Sequence, residues 1–585
     1  MTVKVLAQLM SAARTSCSAP ARSGLRKSGI WRRPVSWNRR VRASSSRGLQ
    51  KGDGSVIVSL NFGHGPHCLR RCLARQILHD YWRQITTMSK ADLDRAAGLL
   101  AAGKAKDALA VTRSLIRRAD ADPRAFALHA SALKAMGRRD EALPIDREAV
   151  RRFPMGRIGW HNLAATLGDL GKADEAVRAA ETAFELGLDA PETWLVYARA
   201  LVAAGRLDEG EQAYLRLIRR RPGEVAWGIE AANLVWMRTG DLTQADAVLL
   251  EIAKAGAQPV PILLGRADLA RTAGRADLAW DLLIQALRMA PDNVQTLLAA
   301  AQAAVEGKKL GDADILIRQA LGHAPASPAV LNQAAIVDLA LGRPQDALAR
   351  ARKGLEAAPN NQSLWAWASV AARQIGDPLY DQICAYDALV RVFDFETPPG
   401  WPDMAAFLAD LDQALTAQHK YQREPANQSV RGGSQLSHFL KGSDDRAIKA
   451  AFDLFTTAIN TFLKDLPPGG DPLRMRKTRD WKFQGAWSVL LRQGGSHAPH
   501  MHIEGWISSV FYVATPAVSA GAPDRQGWLA IGEPPLALNP PCPAVMHVEP
   551  RPGRLVLFPS YAWHGVIPFQ TDDRRLTMAF DVVPT

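Results

Sequence analysis

A chain of 585 residues, 47% of them hydrophobic, is too long for one core and divides into three or four structural units at about 150 residues per domain. The formal charge of +14 sits entirely in residues 1–87, which hold sixteen Lys/Arg against Asp53 and Asp80, so the rest of the chain sums to zero. That balance gives no electrostatic case for nucleic acid or an anionic membrane, and the lack of any uninterrupted apolar run of about 18 residues excludes a membrane-spanning helix.

The first 87 residues are rich in Arg, Ser and Gly and show no sustained periodicity. They read as a basic, disordered leader or as a mis-assigned start. Translation is expected to begin at Met88, where Met88-Ser-Lys-Ala-Asp-Leu-Asp opens a helical pattern; a transit peptide is the other reading. Five cysteines (Cys17, Cys68, Cys72, Cys384, Cys542) are sparse and frame no zinc motif, which predicts a reducing, cytoplasmic setting.

From residue 88 to about 375 the chain repeats. Glycines stand at 103, 137, 171, 205, 240, 274, 307 and 342, a period of about 34, and Ala108, Ala142, Ala176, Ala245, Ala279 and Ala347 follow five residues after most of them. A glycine suits the turn between two antiparallel helices, and an alanine lets those helices approach closely. Gly137-Arg-Arg-Asp-Glu-Ala142 and Gly171-Lys-Ala-Asp-Glu-Ala176 resemble the tetratricopeptide repeat, which implies about eight repeats stacked in an all-α solenoid whose groove takes a protein or peptide partner. Gly210 departs from the alanine pattern, and the repeat around Gly307 and Gly311 is blurred.

Pro and Gly after Gln374 and again in Phe395-Glu-Thr-Pro-Pro-Gly-Trp401 mark a boundary, and residues 376–470 read as a helical support region. It contains a helix over 403–418, a polar loop at Gln428–Gln435, and a second helix with Ile448, Phe452, Phe455, Ile459 and Phe462 on one face, expected to pack on a following sheet. Within 471–585 the period falls to two. Strands are predicted near 484–492, 506–514, 527–531, 554–559, 564–568 and 575–583, an α+β jelly roll with helices on one side.

Three histidines, His497, His500 and His502, open the second of these strands, and His564 opens a later one. In an extended segment His500 and His502 share a face, as Arg575, Thr577, Ala579 and Asp581 do in the last strand. An arginine and a threonine side by side on an inner face call for an anion, and a small dicarboxylate fits the guanidinium fork. Three protein ligands on one side of a metal are what a non-heme iron site requires.

At this point His500-Met-His502, Gly505-Trp-Ile-Ser-Ser509 with Tyr512, Phe558-Pro-Ser-Tyr-Ala-Trp-His564 and Arg575-Leu-Thr577 resemble the 2-oxoglutarate/Fe(II)-dependent oxygenase superfamily, in a branch with His-x-His in place of His-x-Asp/Glu. The resemblance covers Trp481 to Asp581 and implies a double-stranded β-helix fold. It implies Fe(II) on His564 and on His500 or His502, and 2-oxoglutarate on Arg575, Thr577 and Tyr512. The third ligand stays open between a His500/His502 pair and a His502/Glu504 pair. His497 is either a hydrogen-bond donor behind the ligands or exposed. Trp506, Trp528 and Trp563 read as packing, Arg574 as solvent-facing, and His547 as structural. The implied activity is that of a dioxygenase acting as a hydroxylase, with the repeats recruiting substrate. A repeat scaffold carrying a catalytically silent oxygenase fold is the alternative, and a cupin-type metalloenzyme is disfavoured by the Arg575/Thr577 pair.

Overall fold

A turn that reverses a helix needs a residue in the left-handed region, and seven of the eight periodic glycines supply it: Gly103, Gly137, Gly171, Gly205, Gly240, Gly274 and Gly342 have φ between 68° and 73°. The exception explains the blurred repeat. Gly307 has φ −82° and hands the turn to Lys308 at φ 57°, which lies 34 residues from both Gly274 and Gly342. Eight helix pairs result among the described residues, from 90–101 with Ala105–Ile116 to Pro328–Ala340 with Pro344–Ala357, closed by Gln362–Ile375. The alanines five residues after each turn, Ala313 included, are fully buried. Gly210 takes that place where a methyl group would press on Val202.

The computed structural model describes residues 90–421, 423, 428–436 and 440–585; the expected leader 1–87, Met88 and Cys68/Cys72 lie outside them. Among the described residues no helix is long and apolar enough to cross a membrane.

After the array come helix Met404–Thr416, helix Arg446–Asp465 and a curled antiparallel sheet. Its strands are β1 (Arg391–Asp394), β2 (Val430–Gln435), β3 (Trp481–His500), β4 (Ile507–Ala514), β5 (Leu529–Ile531), β6 (Met546–Val548), β7 (Arg554–Pro559), β8 (His564–Val566) and β9 (Arg575–Pro584). They are ordered β1-β7-β4-β9-β3-β8-β5-β6, with β2 paired to β3. Strand alternation divides the residues as expected. Leu576, Met578, Phe580 and Val582 join the core shared with helix Arg446–Asp465, where Phe455 lies 4.9 Å from Phe580 and 5.1 Å from Phe511. The opposite parity faces a cavity.

Three expectations need correction. The segment Gln428–Gln435 is not a loop, since β2 pairs with β3. Strands β1 and β6 were not foreseen, because three or four residues carry too little pattern. The histidines do not open a strand: His497 and His500 end the 20-residue β3, and His502 lies in the connection to β4.

Ala91–Thr585 forms one compact unit, and the array holds the sheet domain at two places. At its C-terminal end the Trp563 indole donates to Ala366 O at 3.0 Å and packs on Trp367 at 4.7 Å, while Arg373 and Gln374 bond carbonyls of Gly532, Pro543 and Pro540. In the early repeats Tyr421 is buried in the solenoid core, Lys172 pairs with Asp444 at 2.8 Å, and Gly442 lies against the 170–171 turn. A methyl at Gly442 would overlap the Leu170 carbonyl, a rigid group with nowhere to move. Gly442→Ala is therefore expected to destabilise the protein by about 1–3 kcal/mol. Gly168→Ala, on an open helical surface, is expected to stabilise it by about 0.5–1 kcal/mol. Denaturant unfolding of the two variants side by side checks both signs.

Candidate functional site

Two of the histidines meet because antiparallel pairing puts them directly opposite each other: His500 near the end of β3 is in register with His564 at the start of β8, ring centroids 4.1 Å apart. His502 joins them from the connection, which is tied down by His502 N–H to Ser560 O (2.9 Å) and Trp506 N–H to Val582 O (2.9 Å). Gly505 allows the close approach, since any side chain there would strike Ser560 and crowd Asp581. One ring nitrogen from each of His500, His502 and His564 lies within 4.8 Å of the others.

Hydrogen bonding decides which nitrogen each ring presents. His500 Nδ1 faces Ala498 O at 2.9 Å and His564 Nδ1 faces Ala562 O at 3.0 Å. A carbonyl only accepts, so both δ nitrogens carry the proton and both Nε2 atoms keep a free lone pair. His502 Nδ1 lies 2.6 Å from Asp581 Oδ1, to which Ser508 Oγ also donates at 2.6 Å. Ser560 Oγ extends the network to Ser508 at 2.8 Å. Metal-binding histidines are held in this way, the second nitrogen anchored on a carbonyl or carboxylate. Burial, reinforced by neighbouring imidazoles, holds His500 down to about 3 and His564 well below the ordinary histidine range, so both rings are neutral and able to ligate near pH 7.

The same cavity, of about 550 Å³, is lined by Arg575, Thr577, Ala579 and Asp581 of β9, together with His497 and the three clustered histidines. Arg575 is 1% exposed, and its guanidinium sits 5.1 Å over the Tyr512 ring. Among the described residues its Nε and Nη2 and the Tyr512 hydroxyl meet no hydrogen-bond partner. A guanidinium keeps its proton in proteins, so this is a buried cation beside Tyr512 with no ion-pair partner among the described residues, an arrangement that a carboxylate would satisfy. Thr577 lies beside Tyr512 across the β4–β9 ladder.

Glu504 is not brought to the cluster; it is exposed and 3.4 Å from Gln484 Nε2. His497 lines the cavity, its Nδ1 3.1 Å from Ser429 Oγ and its ring stacked on His500 at 5.5 Å. Arg574 faces outward in an ion pair with Asp412, His547 pairs with Arg525 at the surface, and Trp506, Trp528 and Trp563 donate to backbone carbonyls.

Sequence reasoning missed Trp487. Its ring lies 5.5 Å from His502, and it lines both this cavity and an adjoining one of about 680 Å³. The adjoining cavity is bounded by Arg139, Asp140 and Asp169 of the repeats and by Lys482. Gln428 and Gln435 also border both, so the site opens toward the array. The signal was in the sequence: Trp487 shares parity with Val489 and Leu491, on the face opposite Ala486 and Leu490, which join the core with the helices.

Residues 485–581 match the family model described as "Putative 2OG-Fe(II) oxygenase", and residues 161–225 match a tetratricopeptide repeat model. No curated protein matches the chain. Among solved structures, a tetratricopeptide repeat protein from Parabacteroides merdae is similar at 15% identity, over 43% of this chain and 98% of that one, with a TM-score of 0.32. Pseudomonas aeruginosa pilF is similar at 17% identity, over 37% and 97%, with a TM-score of 0.30. The chain thus carries tetratricopeptide repeats followed by a C-terminal domain of the oxygenase family.

Proposed function

We propose that this chain is a 2-oxoglutarate- and Fe(II)-dependent dioxygenase that hydroxylates a protein or peptide substrate presented by its repeat array. The observation that carries this reading is the convergence, in one cavity, of three clustered imidazoles with anchored δ nitrogens and a buried guanidinium with two unsatisfied nitrogens.

On this reading the sheet is the jelly roll of that superfamily. His500, His502 and His564 hold Fe(II) through Nε2, while Arg575, Thr577 and the Tyr512 hydroxyl hold the far carboxylate of 2-oxoglutarate. When bound, the pair supplies the superfamily's chemistry, oxidative decarboxylation to succinate and carbon dioxide coupled to oxidation of a substrate C–H bond. The protein's part is placement: Ala498, Ala562 and Asp581 orient the imidazoles, and Val510, Phe558 and Val566 give the cavity apolar walls that restrict water. Substrate enters past Trp487 from the adjoining cavity, and tetratricopeptide repeats as a class bind protein partners.

The test is anaerobic addition of Fe(II) and then 2-oxoglutarate to the purified protein, watching for a visible charge-transfer band. The band is expected in wild type and in Glu504→Ala and absent in His564→Ala. No band from folded wild type would overturn the reading and leave the array as a scaffold. Loss of the band in Glu504→Ala would restore the His502/Glu504 pairing.

A further inference from the structure

We infer that Asp581 is a positioning residue that replaces, one hydrogen bond behind the metal, the negative charge which an all-histidine ligand set lacks. The inference rests on the function proposed above and concerns how this chain makes three histidines serve.

Charge balance motivates it. Three neutral imidazoles leave a divalent ion with its full charge, and Arg575 adds one more in the same buried cavity. A dianionic 2-oxoglutarate cancels two of these three charges. One positive charge would remain in a site of low dielectric, where uncompensated charge is costly. A set of two histidines and a carboxylate has no such surplus.

Only two acidic side chains border the cavity among the described residues. Glu504 is exposed and turned to Gln484, whereas Asp581 is 8% exposed and its Oδ1 lies 2.6 Å from His502 Nδ1. Asp581 is therefore the buried carboxylate that can close the balance.

Its fixation is built into the fold. Asp581 shares the inner face of β9 with Arg575 and Thr577, and it lies in register with Ser508 on β4, whose hydroxyl donates to the same Oδ1 at 2.6 Å. Ser560 joins the network through Ser508, and Gly505 leaves the carboxylate room. The arrangement does two separable things. It holds the proton on His502 Nδ1, which turns the Nε2 lone pair toward His500 and His564. It also makes His502 a stronger donor than its two partners, whose δ nitrogens rest on neutral carbonyls.

Asp581→Asn and Asp581→Ala separate these roles. The asparagine oxygen can still accept from His502 Nδ1 but carries no charge; alanine removes both and leaves Nδ1 only the Ser508 hydroxyl at 3.0 Å, which can donate or accept and so fixes neither tautomer. The protein is titrated with Co(II) by calorimetry, Co(II) standing in for Fe(II), and the protonated nitrogen of His502 is read in the metal-free state from ¹⁵N shifts, assigned with His502→Gln. Asp581→Asn is expected to keep the Nδ1–H tautomer and to bind Co(II) about 10- to 100-fold more weakly. Asp581→Ala is expected to lose the single tautomer and bind more weakly still, and Ser508→Ala, which leaves the carboxylate, to fall between wild type and Asp581→Asn. Thermal unfolding of each metal-free variant reports whether the fold is intact. Equal Co(II) affinity in wild type and Asp581→Asn would overturn the role of Asp581 and leave the proposed function standing. Wild type that takes up no Co(II) would overturn the metal site itself.

Discussion

Arg575→Met is expected to weaken 2-oxoglutarate binding on the order of 10²- to 10³-fold and, in the absence of ligand, to make the protein more stable than wild type. The two halves of this result have one cause. Arg575 lies at 1% exposure over the Tyr512 ring, with two of its nitrogens unsatisfied among the described residues. Burial lowers its affinity for a proton, the sign expected when a charge sits where it is poorly solvated. Removing one member of a buried charge pair costs about 2–5 kcal/mol of binding, which sets the loss of affinity. Replacing the guanidinium by an unbranched apolar chain of similar length relieves the unliganded protein by about 1–4 kcal/mol. Wild type, conversely, should gain about 2.7 kcal/mol at a 2-oxoglutarate concentration one hundred times its dissociation constant, and the variant less than about 0.5 kcal/mol at the same concentration. Thermal unfolding with and without 2-oxoglutarate, in the presence of Co(II), measures all four states. A variant less stable than wild type without ligand would show that Arg575 is a structural cation with a partner in solution.

The parts of the site that obey a short period could be read from the chain. Alternation along β9 places Arg575, Thr577 and Asp581 together without knowledge of the fold, and the 34-residue spacing gives the array, down to the repeat where Lys308 takes over from Gly307. The contacts that need two distant segments could not be read. Asp581 reaches His502 across 79 residues of sequence, Trp563 reaches Ala366 across 197, and nothing in the repeat pattern says that Gly442 will press on a repeat turn. Strand parity is an incomplete reason for grouping His500 with His502. It brought them together on paper, yet His502 lies outside the strand and is aimed by Asp581 and the Ser560 carbonyl. Glu504 stands apart from the clustered imidazoles because the same connection turns it toward solvent, a property of backbone path that side-chain chemistry does not encode.

Trp563→Ala is expected to cost about 3–5 kcal/mol of stability, the usual loss for a fully packed indole, and also to weaken metal binding about 10- to 100-fold, although Trp563 touches no ligand atom. Its ring packs on Trp367 and its N–H is held by Ala366 O, so the residue immediately before His564 is bolted to the last helix of the array. The His564 ring in turn takes its orientation from Ala562 O, the residue on the other side of Trp563. The turn that aims the distal histidine is thus set by the solenoid as much as by the sheet, with Tyr561 adding a bond to Ile383 O. Trp563→Phe keeps most of the packing and loses the bond to Ala366, so it should retain more stability and more affinity. Calorimetric Co(II) binding at a temperature where both variants are folded separates aim from stability. If Trp563→Ala is destabilised but binds Co(II) as wild type does, the array serves only as a support. If both properties fall together, and fall less in Trp563→Phe, whatever binds and shifts the last repeat also moves His564, and the array acts on the site through that turn.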